Sequence, residues 1–265
     1  MSALAINAMT TVPALRCTSL DVAVPGRRLV EKLSFEAHRG QFIAVLGENG
    51  VGKTLTLHTL VGLRAPDAGE IHWLDRGVHD WPRRELARTL GLLAQNSEDP
   101  FPTNVLEAAV MGRHPHIDFW RWESEEDYEI ARRCLASVDL AGLEQREVQT
   151  LSGGERRRLA IATVLTQEPT VYVLDEPTNH LDPHHQVDVL TLFQDRVRSG
   201  ALVIASLHDA TLAARYADQA LLLFGDGQWL YGSSEQVLTA ANLSRLYQTP
   251  MEEIVHRGRR VFIGA

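Results

Sequence analysis

Residues 41–54 read Gln41-Phe42-Ile43-Ala44-Val45-Leu46-Gly47-Glu48-Asn49-Gly50-Val51-Gly52-Lys53-Thr54. The apolar run up to Leu46 is short and closed by a glycine-rich loop, which predicts a buried strand. From Lys53 the sequence Thr-Leu-Thr-Leu-His-Thr-Leu-Val predicts a helix ending near Gly62. Strand, loop and helix form the first half of a βαβ unit. The loop itself, Gly47-Glu48-Asn49-Gly50-Val51-Gly52-Lys53-Thr54, fits the pattern G-x-x-x-x-G-K-[ST] of a phosphate-cradling P-loop. Its glycines let backbone N–H groups turn inward around phosphate oxygens where a Cβ would clash. The following helix directs its positive end at the same place. Lys53 can neutralise β- and γ-phosphates, and the Thr54 hydroxyl can ligate Mg²⁺.

A second chemical site stands at the end of another strand. Val171-Tyr172-Val173-Leu174 is apolar and runs into Asp175-Glu176. Ligands of open α/β sheets bind outside the carboxyl ends of the strands, where this pair would lie. Asp175 can hold Mg²⁺ through its water shell, as a Walker-B aspartate does. Glu176 can polarise an attacking water as general base. Further strands are expected at Leu15–Val24, Leu33–Ala37, Thr170–Leu174 and Ala201–Ser206, with a turn at Pro25-Gly26. A helix over Gln186–Val197 separates the last two of these strands, so they should pair in parallel. Ala220–Tyr231, with Gly225-Asp226-Gly227 inside, predicts a hairpin. Between Val105 and about Thr166 helical periodicity dominates, and Ser124-Glu125-Glu126-Asp127 is a capped helix start. The economical reading is an α/β core with a helical insert, followed by a mixed tail of the last thirty or so residues.

Composition bounds the function without naming it. The 265 residues are 45% hydrophobic and 23% charged, the pattern of a globular chain. The 26 Lys and Arg against 34 Asp and Glu give a net charge of −8, which argues against a general nucleic-acid binder and against adhesion to anionic lipid. No apolar stretch approaches the roughly 18–20 residues of a membrane-spanning helix. Met1–Pro13 lacks the basic start of a signal peptide, and Cys17 and Cys134 are too few for a disulfide framework. Solubility and a reducing, intracellular location are the expectations.

Leu151-Ser152-Gly153-Gly154-Glu155 precedes an apolar-periodic run and lies between the helical insert and Asp175. Alone it is a good helix N-terminus. Together with the P-loop and the Asp175-Glu176 strand it resembles the signature motif of ABC-type ATPases, over roughly Leu15–Gly232. The resemblance implies an α/β fold: a P-loop NTPase (RecA-like) core, an N-terminal antiparallel β-subdomain and an inserted α-helical subdomain. It divides the chain into one ATPase domain, 12–235 (core 12–95 and 168–235, insert 96–167), and a short C-terminal tail, 236–265. It gives Gln95 the place of the glutamine that meets Mg²⁺ and the attacking water. Asn179-His180-Leu181-Asp182 resembles the loop along the dimer interface, and His208 the switch histidine that holds the γ-phosphate and Glu176. The resemblance also implies a head-to-tail dimer with a second copy. Each ATP would lie between one P-loop and the Ser152-Gly153-Gly154-Glu155 segment of the other chain, with Asp182 beside it.

Some positions depart from the family. Glu155 stands where glutamine is usual. Val24 falls at the usual place of an adenine-stacking aromatic, so Arg27 or Arg28 would have to supply a planar group, and base selectivity is expected to relax. Leu55 follows Thr54 where many relatives have a second hydroxyl. The stretch Val105-Leu106-Glu107-Ala108-Ala109-Val110-Met111-Gly112-Arg113-His114-Pro115, together with Asn242–Tyr247, resembles ATPases of ferric-siderophore, haem and cobalamin importers. That implies a peripheral motor on the cytoplasmic side of the inner membrane. Its partners would be two integral membrane permease subunits and, indirectly, an extracytoplasmic binding protein, with no nucleic acid. Two alternatives stay open: a soluble ABC ATPase of the iron–sulfur assembly type, and a nucleic-acid-associated ABC protein, which usually carries two cassettes or long coiled coils. His114, His116 and Asp118 lack the further ligands of a metal site, and His184-His185 is expected at a solvated helix start. Phe119, Trp120 and Trp122 could pack in the insert or anchor a partner. Arg156-Arg157-Arg158 is expected to be a solvated face.

Overall fold

The computed structural model describes residues 12–95, 102–118 and 120–265. The chain opens with β1 (Leu15–Val24) and β2 (Arg27–Ala37), paired antiparallel through a turn at Pro25-Gly26. The second of these begins earlier than Leu33, because Leu29 and Val30 also point into the core. Next come β3 (Phe42–Leu46), α1 (Lys53–Leu60), β4 (Ala68–Trp73), β5 (Arg76–Gly77), α2 (Arg83–Thr89) and β6 (Leu90–Leu93). Strands β2-β1-β4-β5 make one antiparallel sheet.

Three helices follow: α3 (Val105–Val110), α4 (Glu125–Ala136) and α5 (Gly153–Thr166). Each starts with a reciprocal capping box, Asn104 with Glu107, Ser124 with Asp127, and Ser152 with Glu155. Such a box satisfies two orphan N–H groups per helix, which defines where each begins. A buried Arg113, in the turn after α3, binds Asp127 at 2.8 Å, Glu168 at 2.8 Å and the Thr166 carbonyl at 3.1 Å. One guanidinium thus ties the ends of all three helices. The Met111-Gly112-Arg113 run therefore has a packing role within the insert. Trp120 and Trp122 stand 90% and 89% exposed, and Phe119 lies outside the described residues.

The chain returns through β7 (Val171–Leu174), α6 (Pro183–Arg198), β8 (Leu202–Ser206), α7 (Ala210–Tyr216), β9 (Gln219–Leu223) and β10 (Trp229–Ser233). The main sheet has the order β10-β9-β3-β8-β7-β6 and is parallel except for β10, the second arm of the expected hairpin. Both faces of this sheet are covered. Phe42, Ala44 and Leu46 point into one apolar cluster, with Tyr172, Leu174, Val203 and Ala205, against the helices. Ile43 and Val45 point into the other, with Val171, Val173, Leu202 and Ile204, against the antiparallel sheet. The two-residue period of a strand with both faces dry explains why these segments read as unbroken apolar runs. Each buried Val, Leu, Ile or Phe side chain among these contributes about 1.5–3 kcal/mol. Helix α6 lays Val189, Leu190, Phe193 and Val197 on the sheet, where Phe193 meets Tyr172 edge-on at 5.5 Å. It starts at Pro183 rather than Gln186 because Asp182 caps it, accepting from the His185 N–H at 3.0 Å.

The chain ends in α8 (Ser234–Val237), α9 (Ala240–Tyr247) and the hairpin β11 (Met251–His256) with β12 (Arg259–Gly264). Leu243, Leu246 and Phe262 join the helix-side cluster. The Phe262 N–H donates to Thr211 Oγ1 at 3.0 Å, and Tyr247 Oη donates to the His208 carbonyl at 3.2 Å.

Candidate nucleotide site

The carboxyl ends of β3, β8, β7 and β6 are neighbours, and each presents a polar group where its strand stops. After β3 comes the glycine-rich loop. The close approach at Gly47 is strict: a Cβ there would sit 2.6 Å from the Leu223 carbonyl oxygen and 2.7 Å from the Val51 side chain. Gly52, the N-cap of α1, has φ +105°, a backbone conformation that side chains strain. Lys53, buried, donates from Nζ to the carbonyls of Gly47 at 2.8 Å and Glu48 at 3.1 Å. Burial lowers its pKa, and the charges of Glu176 and Asp175 act the other way. Two of the three N–H bonds of the ammonium are thus accounted for by the loop.

Asp175 and Glu176 follow β7 and are 0% and 5% exposed. Ser206, at the end of β8, binds both: its Oγ donates to Asp175 Oδ1 at 2.6 Å and accepts from the Glu176 N–H at 2.7 Å. Asp175 Oδ2 is buried and has no hydrogen-bond partner among the described residues. Such an oxygen is costly unless a cation or donor meets it. The Glu176 carboxylate is gripped from three sides. Oε1 pairs with His208 Nε2 at 2.7 Å, while Oε2 accepts from Gln95 Nε2 at 2.9 Å and from Asn179 Nδ2. Glu176 also has φ +51°, a left-handed conformation that costs an L-residue about 1–2 kcal/mol. An outlier of that kind persists only where its surroundings hold it.

A cavity of about 520 Å³ opens over these groups, walled by Asn49, Gly50, Gly52, Lys53, Thr54, Gln95, Glu176 and His208. Val24, Arg27, Leu29 and Leu55 close another side. Arg27, and not Arg28, reaches it; both Nε and Nη2 of Arg27 donate to the Gly225 carbonyl, at 3.2 and 2.9 Å, while Arg28 pairs with Glu31. The structure thus brings the P-loop together with Gln95, Asp175, Glu176 and His208. It does not bring Ser152, Gly153, Gly154, Glu155 or Asp182 to this cavity within one chain. Glu155 accepts from the Ser152 N–H at 2.7 Å and pairs with Arg146 at 3.2 Å, so its carboxylate serves the helix cap. The Ser152 N–H bond, chiefly, lowers its pKa.

Sequence reading missed three contributors. Ser206 closes an otherwise apolar strand, and Asn179 sits inside a segment read only as a loop. Arg157 corrects the expected solvated arginine face: it is 6% exposed and donates from Nη1 to the carbonyls of Ala94 (2.7 Å) and Gln95 (3.3 Å). Its Nη2 donates to the carbonyls of Asp175 and, at 2.8 Å, Glu176. Burial pushes its pKa down to about 10, so it stays protonated near neutral pH. The signal was present in the periodicity, since Arg157, Ile161, Val164 and Leu165 form the buried stripe of α5. Arg158 is not a solvated arginine either, as it binds the Val138 and Asp139 carbonyls. His116 meets the Gln167 carbonyl at 2.9 Å, and no cluster of three potential metal ligands occurs among the described residues.

The family model of the ABC transporter matches residues 30–179. The chain is 40% identical over 233 residues to the hemin import ATP-binding protein HmuV of Gloeobacter violaceus, covering 85% of this chain and 84% of that one. It is 37% identical over 240 residues to the ferric enterobactin transport ATP-binding protein FepC of Escherichia coli, covering 89% and 88%. A solved metal-chelate type ABC transporter in an inward-facing conformation superposes with TM-score 0.83 at 28% identity, over 96% of this chain and 98% of that one. With the family model covering more than half of its length and these relatives matched nearly end to end, the chain belongs to the ABC transporter family, as an ATP-binding cassette ATPase.

Proposed function

We propose that this chain is the ATP-hydrolysing motor of an importer for a metal chelate, a ferric siderophore, haem or a corrinoid. The observation that carries the chemical part is the Glu176 carboxylate held between His208 and Gln95 at the mouth of the P-loop cavity. The cargo class rests on the named roles of its relatives, hemin import and ferric enterobactin transport. In this reading the N–H groups of Gly47–Thr54 and the Lys53 ammonium bind the β- and γ-phosphates. The unpartnered Asp175 Oδ2 and the hydroxyl of Thr54 suit a hard cation with oxygen ligands. With Gln95 they would hold Mg²⁺, which supplies charge neutralisation of the phosphates when bound.

Glu176 is the general base. It takes a proton from a water as that water's oxygen bonds to the γ-phosphorus, and the bond to the β–γ bridging oxygen breaks, releasing ADP and phosphate. His208, with Nε2 2.7 Å from Glu176 Oε1, holds its carboxylate toward the water, and Gln95 orients it from the other side. Asn179 shares that second oxygen. Ser152 and Gly153, exposed at the start of α5, with the half-buried Gly154 and Glu155 and with Asp182, would meet the nucleotide of a second copy. A helix N-terminus there contributes about 0.3–2 kcal/mol toward an anion. ATP then forms part of the dimer interface, and its hydrolysis loosens it, a population shift driven by contacts present in one state only. The dimer works beneath two membrane-embedded permease subunits at the cytoplasmic face of the inner membrane, with a binding protein outside. No helix among the described residues is long and apolar enough to cross a membrane, so the pore belongs to other subunits. The net charge of −8 argues against nucleic acid as a partner.

The test is Glu176→Gln. It should bind ATP with near-normal affinity, lose nearly all turnover and accumulate as a dimer with ATP on size exclusion. Turnover at the parent rate would overturn the assignment of the base. Copurification in mild detergent of a multispanning partner supports import; a soluble scaffold in its place would favour the iron–sulfur assembly alternative.

A further inference from the structure

We infer that Arg157 is a positioning residue for hydrolysis, fixing from the signature helix the backbone that carries Gln95 and Glu176. The inference rests on the ATPase reading above. Of the adjacent arginines, Arg156 donates to the carbonyls of Leu151 and Gln149, and Arg158 to those of Val138 and Asp139. Those contacts are local to the insert. Arg157 alone reaches across to the main sheet, and its carbonyl acceptors belong to the last residues of two neighbouring strand ends: Ala94 and Gln95 after β6, Asp175 and Glu176 after β7. Those segments hold the glutamine, the metal-suited aspartate and the base.

Three features argue that this clasp sets geometry and is not mere packing. The Gln95–Glu176 hydrogen bond joins the same two strand ends, so one planar guanidinium holds the frame on which a 2.9 Å contact depends. Glu176 sits at φ +51°, with its N–H pinned by Ser206 and its carbonyl pinned by Arg157, so the strained peptide is held on both sides. Finally, Arg157 Nε is buried without a partner among the described residues. A buried, incompletely satisfied cation is a poor device for stability, since a well-packed apolar group often serves as well or better. Arg157 also lies on the helix whose first turn is capped by Ser152. A contact made at that end of α5 is thereby coupled through a rigid helix to the base.

The experiment compares Arg157→Gln and Arg157→Lys with the unaltered full-length chain, reading kcat, Mg-ATP affinity with a fluorescent ATP analogue, and thermal melting. In Arg157→Gln, kcat should fall about 10- to 100-fold, as expected for a misplaced catalytic group, with ATP affinity within about threefold. Arg157→Lys should recover part of the rate, because an ammonium keeps the charge but not the planar fork. Combining Arg157→Gln with Gln95→Ala should lower kcat no further than the worse single variant, as for residues acting through one path. The inference is overturned by multiplicative losses in the double variant. It is equally overturned if ATP affinity and melting temperature fall in step with kcat in both Arg157 variants, or if neither folds. Full turnover in Arg157→Gln alongside a dead Glu176→Gln overturns this inference alone. Full turnover in Glu176→Gln overturns the reading beneath it.

Discussion

Replacing Ser206 with alanine removes one oxygen atom from the centre of the site, and its cost can be worked from the contacts. The hydroxyl is fully buried and has two partners, Asp175 Oδ1 at 2.6 Å and the Glu176 N–H at 2.7 Å. Alanine leaves the N–H unpaired where water does not reach, a penalty of about 1–3 kcal/mol. It also takes from a buried carboxylate its hydroxyl donor, a charge-assisted bond of about 1.5–3 kcal/mol. Both losses fall on adjacent residues and are not fully additive, so about 3 kcal/mol is expected. For a chain of this size that is a drop of about 6–12 °C in melting temperature. Scanning calorimetry or urea denaturation reads it, the midpoint falling while the slope stays constant. Turnover should fall too, because the peptide that carries the base loses its anchor. A variant melting within about 1 °C of the parent would refute the reasoning, since at the rates above it would mean well under 1 kcal/mol from the bridge.

Lys53→Ala should abolish detectable ATP binding in a fluorescence titration, since the one buried ammonium at the cavity goes; unchanged affinity would contradict the phosphate site. With Val24 on the cavity wall where an aromatic ring is usual, and Arg27 held by the Gly225 carbonyl, base discrimination lacks the roughly 1–3 kcal/mol of a stacking ring. Hydrolysis of GTP should therefore match that of ATP within about fivefold, and a strong ATP preference in parallel assays would sink this view. The insert helices should be acid-labile. The carboxylates of Glu107 and Glu155 are lowered chiefly by the N-cap N–H groups they accept from. That of Asp127 is also lowered, burial being outweighed by Ser124 and Arg113. Folded values below the unfolded ones mean stability present above the ordinary carboxylate range, near pH 4, and lost as pH falls through the lower folded values. Hydrogen exchange should show the first turns of α3, α4 and α5 opening in that window. The triple variant Glu107→Gln, Asp127→Asn, Glu155→Gln should flatten the response; an unchanged acid profile would count against it.

The parts of the fold that were legible in the sequence are those whose signal is local. The run Phe42–Leu46 has both faces buried, so its apolar character shows without alternation, and the glycines that follow mark the loop through steric need. Ser124 and Asp127 name a helix start because their mutual capping spans only one turn. The limits were also local. Strand β2 extends back from Leu33 past the exposed Lys32, the half-buried Glu31 and the buried Leu29-Val30 pair to the exposed Arg27 and Arg28. The consecutive buried residues Leu29 and Val30 break the alternation that marks a half-buried strand. Helix α6 begins at Pro183-His184-His185, where the cap and the proline carry the information and the apolar stripe has not begun.

The candidate site divides along the same line, and the division has a physical cause. Residues that would touch the nucleotide stand at strand ends or in the phosphate loop, where a short motif records them. The residues that hold those groups act through backbone carbonyls and hydroxyls on other elements, far away in the chain. Arg157 meets Ala94 across 63 positions, and Ser206 meets Asp175 across 31. A carbonyl acceptor leaves no trace in the identity of its residue, so Ala94 could not announce that it takes part. What a sequence can show is the other partner's misfit: an arginine on an apolar helix stripe, a serine closing an apolar strand. Both would lose free energy if buried alone. Each is therefore evidence of a distant polar partner, and in this fold both partners lie at the carboxyl ends of β6 and β7, around Glu176.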